Sequence, residues 1–298
     1  MSHPVTDTVL HPSATATRVS YPTGGTHGPG TVVGLARFTG RDGGGVLGVV
    51  LDATAAHPVS PTWPDQPADR GELLSAARTH ALLDVRQGVL HDGLLTVDVS
   101  AGRVPGDEVV VHLVDPGASL TLGERVEVIV DAEWRRSLSL AHSACHLGAL
   151  ALDAALAPLW SRSVATDPLG HPAFDRLAIT SSTLSPRRAV DVYRLGKSLR
   201  KKGFDGTRLT DELAAVAAAQ AATLDRWLAQ DTATHVEAGD GTLSARRRWC
   251  GTLDGIEVDL PCGGTHVAST GELAGITVEH QLSEAADALT VTTSVPAG

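Results

Sequence analysis

Between residues 18 and 130 the chain alternates short apolar runs with breaks rich in glycine and proline. "TVVGLARF" (31–38), "GVLGVVLD" (45–52), "GLLTVDVS" (93–100), "EVVVHLV" (108–114) and "RVEVIVD" (125–131) combine β-branched residues with strand-like lengths. Turn signals such as "RDGGG" (41–45), "PGD" (105–107) and "PGAS" (116–119) separate them. "HPVSPTWPDQPADRG" (57–71) reads as a proline-rich loop, and "ELLSAARTHALLD" (72–84) as a short helix. Five strands with no long helix between them predict a small β-barrel or sandwich over 18–130, preceded by a flexible polar lead-in over 1–17.

The pattern changes near Asp131. In "EWRRSLSLAHSACHLGALALDAALAPLW" (133–160), Trp134, Leu138, Ala141, Cys145, Ala149, Leu152 and Leu156 recur at helical spacing and define one face. A second helix is expected over 210–230, with Thr210 as N-cap and Leu213, Val216, Ala217, Leu224, Trp227 and Leu228 as its apolar stripe. Strands resume at 245–253, 255–261, 275–282 and 288–295. Long helices segregated from strands predict an α+β domain over 131–298.

Composition narrows the class. At 298 residues with 42% hydrophobic and 19% charged residues, the chain has the balance of a folded globular protein. The most apolar stretch, 147–160, is interrupted by Asp153 and Pro158, so a core helix is expected there and no membrane span. The first twenty residues lack the pattern of a signal peptide. Three cysteines, Cys145, Cys250 and Cys262, are poorly suited to a disulfide framework, which favours a reducing, cytoplasmic setting. A net charge of −10 argues against polyanion binding by the whole surface. Locally, however, all three lysines fall in "RLGKSLRKKG" (194–203), which contains no acid. That stretch is either a solvated helix surface or a phosphate-backbone contact, and Arg246, Arg247 and Arg248 add a second basic cluster.

Two spacings carry chemistry. In "HSACH" (142–146), His142 and His146 are four residues apart, which places both on one helix face. In "LPCGGTHV" (260–267), Cys262 and His266 enclose a Gly-Gly pair that lets the backbone turn back sharply. Three imidazoles and one thiolate match the N and S donors of a tetrahedral zinc site. Four protein ligands describe a closed structural shell as readily as a site in a cleft. A Cys262 nucleophile with a histidine base is a third reading. Ser143 and Thr265, beside the ligands, either orient water or substrate or simply pack.

These residues closely resemble the HxxxH and CxxxH signature of alanyl-tRNA editing domains and their free-standing AlaX-type relatives. "CGGTHVASTGE" (262–272) is the most specific part. "VVLDATAAHPVSPTWPDQPADRGEL" (49–73) looks like the family's barrel segment, and "GERVEVIVDAEWRRSLSLAHSACHL" (123–147) is similar to the entry into its editing helix. The resemblance implies a β-barrel packed on an α+β editing domain and zinc held by His142, His146, Cys262 and His266. It also implies hydrolysis of the ester joining a wrongly attached amino acid to tRNA. Aminoacylated tRNA is then the expected partner, with no DNA and no membrane. Arg200, Lys201 and Lys202 are its candidate contacts. Gln66, Asp69 and Cys145 are candidate substrate-binding residues.

The chain departs from the family pattern at three places: "TWPDQPADRG" (62–71) has lost the usual glycines, Cys145 stands where threonine is frequent, and 167–182 lacks a glutamine-containing stretch. Together they imply a remodelled pocket for a β-hydroxy amino acid, serine- or threonine-like, fluorothreonine included. Two other readings compete: a silent module that binds tRNA or an amino acid, and a zinc hydrolase of a small ester or amide. No glycine-rich phosphate loop suggests amino-acid activation. Neutralising Lys197, Arg200, Lys201 and Lys202 together is expected to weaken tRNA binding and flatten its salt dependence, because fewer counterions are released. Filter binding across a salt series checks this, and an unchanged slope would leave the stretch as ordinary solvated surface.

Overall fold

The computed structural model describes residues 7–39, 44–61, 65–76, 78–98 and 105–297. The turn over 41–45 and the strand over 93–100 therefore fall partly outside the described residues. The chain divides into two compact units, one comprising 1–135, 237–247 and 263–265, the other 136–236, 248–262 and 266–298. Both belong to a mixed α+β protein in which strands dominate.

In the first unit, β1 (Asp7–Leu10), β2 (Arg18–Val19), β3 (His27–Thr39), β4 (Gly45–Leu51), β5 (Ala53–Thr54) and β6 (Gly71–Leu74) come first along the chain. They are followed by β7 (Thr79–Ala81), β8 (Asp84–His91), β9 (Leu94–Val97), β10 (Asp107–Val114) and β11 (Arg125–Val130). Nine of these form a sheet in the order β7-β6-β11-β3-β4-β10-β8-β9, with β1 added to β3. The expected barrel does not close among the described residues. The two ends of the path are strands of three and four residues, and they do not pair with each other. Val49, Leu51, Leu73, Val85, Val110 and Val128, all with 0% exposure, make the main core.

Two expectations in this unit need correction. The segment 72–84 is not a helix: β6 pairs with both β7 and β11. Tertiary pairing overrides the helical pattern, burying Leu73 and leaving Glu72 exposed. The lead-in is also not wholly loose. Residues 1–6 lie outside the described residues, but β1 pairs with β3, and Thr17 is fully buried with its hydroxyl donating to Leu51 O.

In the second unit, α1 (Ala132–Leu156, its first turn in the first unit) is the central helix. The Asp131 carboxylate caps it by accepting from the amides of Glu133 and Trp134. A single 3-10 turn over 157–159 holds Pro158, which cannot continue the helical ladder. The 28 residues through Leu159 are long and apolar enough to cross a membrane, exceeding what the interrupted run at 147–160 implied. The most apolar window, however, is 67% buried inside the protein, as in a core helix.

After α1 come α2 (Phe174–Ala178), β12 (Ile179–Ser185), β13 (Arg188–Arg194), α3 (Lys197–Lys201) and α4 (Gly206–Ala229). β14 (His235–Glu237), β15 (Arg248–Leu253), β16 (Ile256–Pro261), β17 (Thr277–Leu282) and β18 (Ala288–Ser294) complete the chain. A four-stranded antiparallel sheet runs β12-β13-β18-β17, and β15 and β16 form a hairpin. The second helix starts four residues before the expected cap. Asp205, not Thr210, caps it by accepting from the amides of Thr207 and Arg208. The fully buried Gln220 of α4 donates to Gly148 O of α1 at 2.8 Å and accepts from His280 of β17 at 2.5 Å. One side chain thereby ties three elements together.

His112, fully buried on β10, lies 2.8 Å from the Thr54 hydroxyl through Nε2 and 3.1 Å from Val49 O through Nδ1. Burial lowers its pKa to about 4. The unfolded chain takes up this proton near pH 6.5, whereas the folded chain resists it until about pH 4. Stability is therefore present above 6.5 and lost as the pH falls towards 4. His57, lowered to about 4 mainly by burial, contributes in the same window. The urea-unfolding midpoint, followed by circular dichroism, is expected to drop between pH 7 and 4, and to drop less in His112→Gln.

Candidate metal centre

His142 and His146 lie one turn apart on α1, as their spacing requires, with ring centroids 4.9 Å apart. Cys262 and His266 follow the end of β16. The turn between them brings the Cys262 sulfur within 3.2 Å of His266 Nε2 and 3.4 Å of His142 Nε2. One donor atom from each of the four residues lies within 4.8 Å of every other. These side chains are 120 residues apart in sequence, yet all belong to the second unit.

The donors fit a metal ion. A tetrahedron with metal–nitrogen and metal–sulfur bonds of zinc length has edges of about 3.3 to 3.8 Å, close to the two sulfur–nitrogen separations. His146 provides a second indication. Its Nε2 is buried with no hydrogen-bond partner, a costly arrangement for a polar atom unless something occupies its lone pair. Burial lowers the pKa of this imidazole to about 4, so it is neutral and able to donate that lone pair at ordinary pH.

The surrounding groups orient the ligands. With His266 Nε2 facing the sulfur, its Nδ1–H is free to donate to the Ser143 hydroxyl at 3.1 Å. The same oxygen accepts from the amide of Val267, also at 3.1 Å. Ser143 is 1% exposed and is committed to holding His266, the usual task of an outer partner to a metal-bound imidazole. Trp249 stacks on His146 with centroids 5.7 Å apart.

Thr265, the residue before His266, is 2% exposed and belongs with Gln66 to the first unit. Gln66 donates through Nε2 to the Thr265 hydroxyl at 2.9 Å, and its Oε1 accepts from the Thr265 amide at 3.1 Å. One contact holds the side chain of Thr265 and the other its backbone.

Asp69 is placed differently. Both carboxylate oxygens bind the Arg135 guanidinium, and one also accepts from the His57 amide at 2.5 Å. Two residues on, Gly71 has φ of 154°, and a Cβ there would strike Ile129 O. The Asp-x-Gly element thus holds the fold of the first unit.

Cys145 lies on α1 outside the quartet, with its sulfur 3.4 Å from the Asp191 carboxylate and 3.8 Å from the Ser182 hydroxyl. Burial and then the neighbouring Asp191 push its thiol pKa well up, so it is a poor nucleophile. Lys197, Arg200, Lys201 and Lys202 are all exposed around α3. Of the second basic cluster, Arg247 is buried and donates to Leu243 O and Thr242 O, and Arg248 pairs with Asp259. Those two arginines serve the fold, which the bare sequence run did not reveal.

The sequence reading also missed a buried acidic chain. Tyr193 donates to Asp175 at 3.0 Å, and the Asp175 amide donates to Asp153 at 2.7 Å. The available signal was Asp153 itself, an acid seven residues after His146 in the otherwise apolar stretch 147–160. No family model matches the chain, and no curated protein is found similar to it.

Purified protein is expected to carry one metal ion per chain, removed by His146→Ala and by Cys262→Ala but not by Cys250→Ala. Ser143→Ala is expected to weaken metal binding by about tenfold to a hundredfold without abolishing it. Elemental analysis and chelator competition check both.

Proposed function

We propose that the protein is a zinc-dependent hydrolase of aminoacyl-tRNA, clearing a β-hydroxy amino acid of serine or threonine type. The observation that carries this reading is the convergence of His142, His146, Cys262 and His266 from two distant segments. These are the residues in which the chain resembles the editing family. Three nitrogens and one sulfur suit zinc better than harder cations, which prefer oxygen. When bound, zinc supplies Lewis acidity to polarise a carbonyl or lower the pKa of water.

The chain's own groups prepare that chemistry. Neutral His146 offers its lone pair, and Ser143 fixes the tautomer of His266 by accepting from Nδ1. Gln66 holds Thr265 at both ends of its amide, donating to the hydroxyl and accepting from the backbone N–H. The exposed cations around α3 offer a local attraction for RNA phosphates on a chain whose net charge opposes it. Selectivity for a hydroxyl follows the asymmetry of polar pockets: leaving a buried donor or acceptor unpaired costs far more than failing to exclude a methyl.

Purified seryl-, threonyl-, fluorothreonyl- and alanyl-tRNA, each offered to the metal-loaded protein, test this. Hydrolysis of the β-hydroxy esters is expected to exceed that of alanyl-tRNA by at least about tenfold, with a threonine-sized substrate accepted alongside or ahead of serine, and to vanish in Cys262→Ala. Equal hydrolysis of alanyl-tRNA would remove the hydroxyl requirement. Full metal occupancy with no ester hydrolysed would make the quartet a structural site.

A further inference from the structure

The three-stranded sheet β14-β15-β16 has two faces of opposite character. Side chains alternate across a strand, so Val236 of β14, Trp249 and Leu253 of β15 and Val258 of β16 share one hydrophobic core. Trp249 is the residue that stacks on His146. The neighbouring residues face the other way. His235 and Glu237 are exposed on β14, and Cys250 is half-buried on β15. Strand β14 is one element of this sheet, although its last residue, Glu237, is counted with the first unit.

This outer face gathers three ligating side chains. His235 and Glu237 are two residues apart and so lie on one side of their strand, and the pairing of β14 with β15 brings Cys250 alongside. One donor atom from each of the three lies within 4.8 Å of the other two. Cys145 and Cys262 pack against hydrophobic clusters, whereas Cys250 packs against none among the described residues. Its thiol donates to Arg248 O at 3.7 Å, a long contact. The cation nearest in sequence, Arg248, is paired with Asp259, which stands directly across from Cys250 on β16.

We infer that His235, Glu237 and Cys250 form a second metal site, one that takes zinc and fastens β14 to β15. One imidazole, one carboxylate and one thiolate suit zinc and ions of similar softness, whereas magnesium and calcium prefer oxygen donors alone. The carboxylate and the thiolate together balance the charge of a divalent cation. Three protein ligands leave a position for water, so this ion exchanges more readily than one held by four. β14 has only three residues and lies at the edge of its sheet, so a bridge to β15 adds a tie that a short hydrogen-bond ladder lacks. The site does not depend on the deacylase reading.

Full-length protein that retains its one tightly held ion after dialysis, titrated with zinc in the presence of a reductant, tests the assignment. A second equivalent is expected to bind at least about a hundredfold more weakly than the first, because one protein ligand fewer holds it and the site is solvated. Its uptake should release a proton, since sulfur ligates as the thiolate. Cobalt supplied as the second ion should give a thiolate-to-metal absorption that Cys250→Ser removes. His235→Ala, Glu237→Gln and Cys250→Ala alter only the solvent-facing side of the sheet. Each should weaken the second equivalent by at least about tenfold, with the first ion and the Tm of the one-ion protein unchanged.

Saturation at a single ion in excess zinc would overturn the site. So would a second equivalent of unaltered affinity in any one of the three variants. Displacement of the second ion by excess magnesium would overturn it as well, because that behaviour belongs to an all-oxygen site.

Discussion

Four side chains able to hold a metal ion, brought together from segments 120 residues apart, set the constraint around which this part of the second unit is organised. Among them His146 Nε2 is buried and has no protein hydrogen-bond partner. A buried polar atom without a partner costs enough to rival a sizeable share of a protein's net stability. The surroundings therefore have to deliver the other three donors accurately. A long helix sets the spacing of the two histidines. The turn after β16 returns Cys262 and His266 to that helix, and Ser143 holds one imidazole by its far nitrogen.

The first unit solves a different problem. Its sheet carries buried polar groups held by specific partners: His112 between Thr54 and Val49, and Asp69 between Arg135 and the His57 backbone. A buried ion pair is weak evidence of added stability, because desolvating two charges offsets their attraction. Removing either partner, by contrast, leaves an uncompensated charge. Asp69 and Gly71 are best understood in those terms, as parts of the fold. Gln66, only three residues before Asp69, is the member of that loop whose amide reaches the turn containing Thr265.

Much of the candidate centre was legible in the sequence because its information is local. Four-residue spacing on an amphipathic helix places His142 and His146 together wherever that helix packs, and the Gly-Gly pair lets Cys262 and His266 converge. The strands over 31–38, 108–114 and 125–131 were legible for a similar reason: β-branched runs bounded by turn residues have few other uses. The exposure of the cations around α3 also follows from their run of charge.

Other features are decided only by tertiary partners. Residues 72–84 have a helical pattern, yet pairing with β11 makes them a hairpin, since sheet neighbours outweigh a weak local preference. Whether the first unit closes into a barrel depends on the reach of its terminal strands, which no local pattern encodes. Arg247 reads as surface charge in a basic run but is spent on two carbonyls beneath Tyr21. Asp153 looks like an interruption in an apolar run, and only burial beneath residues 166–176 makes it a raised-pKa carboxyl in the lining of a cavity. Spacing along one element is written in the chain itself. Which elements meet, and so which polar groups lose water, depends on packing between segments that are remote in sequence.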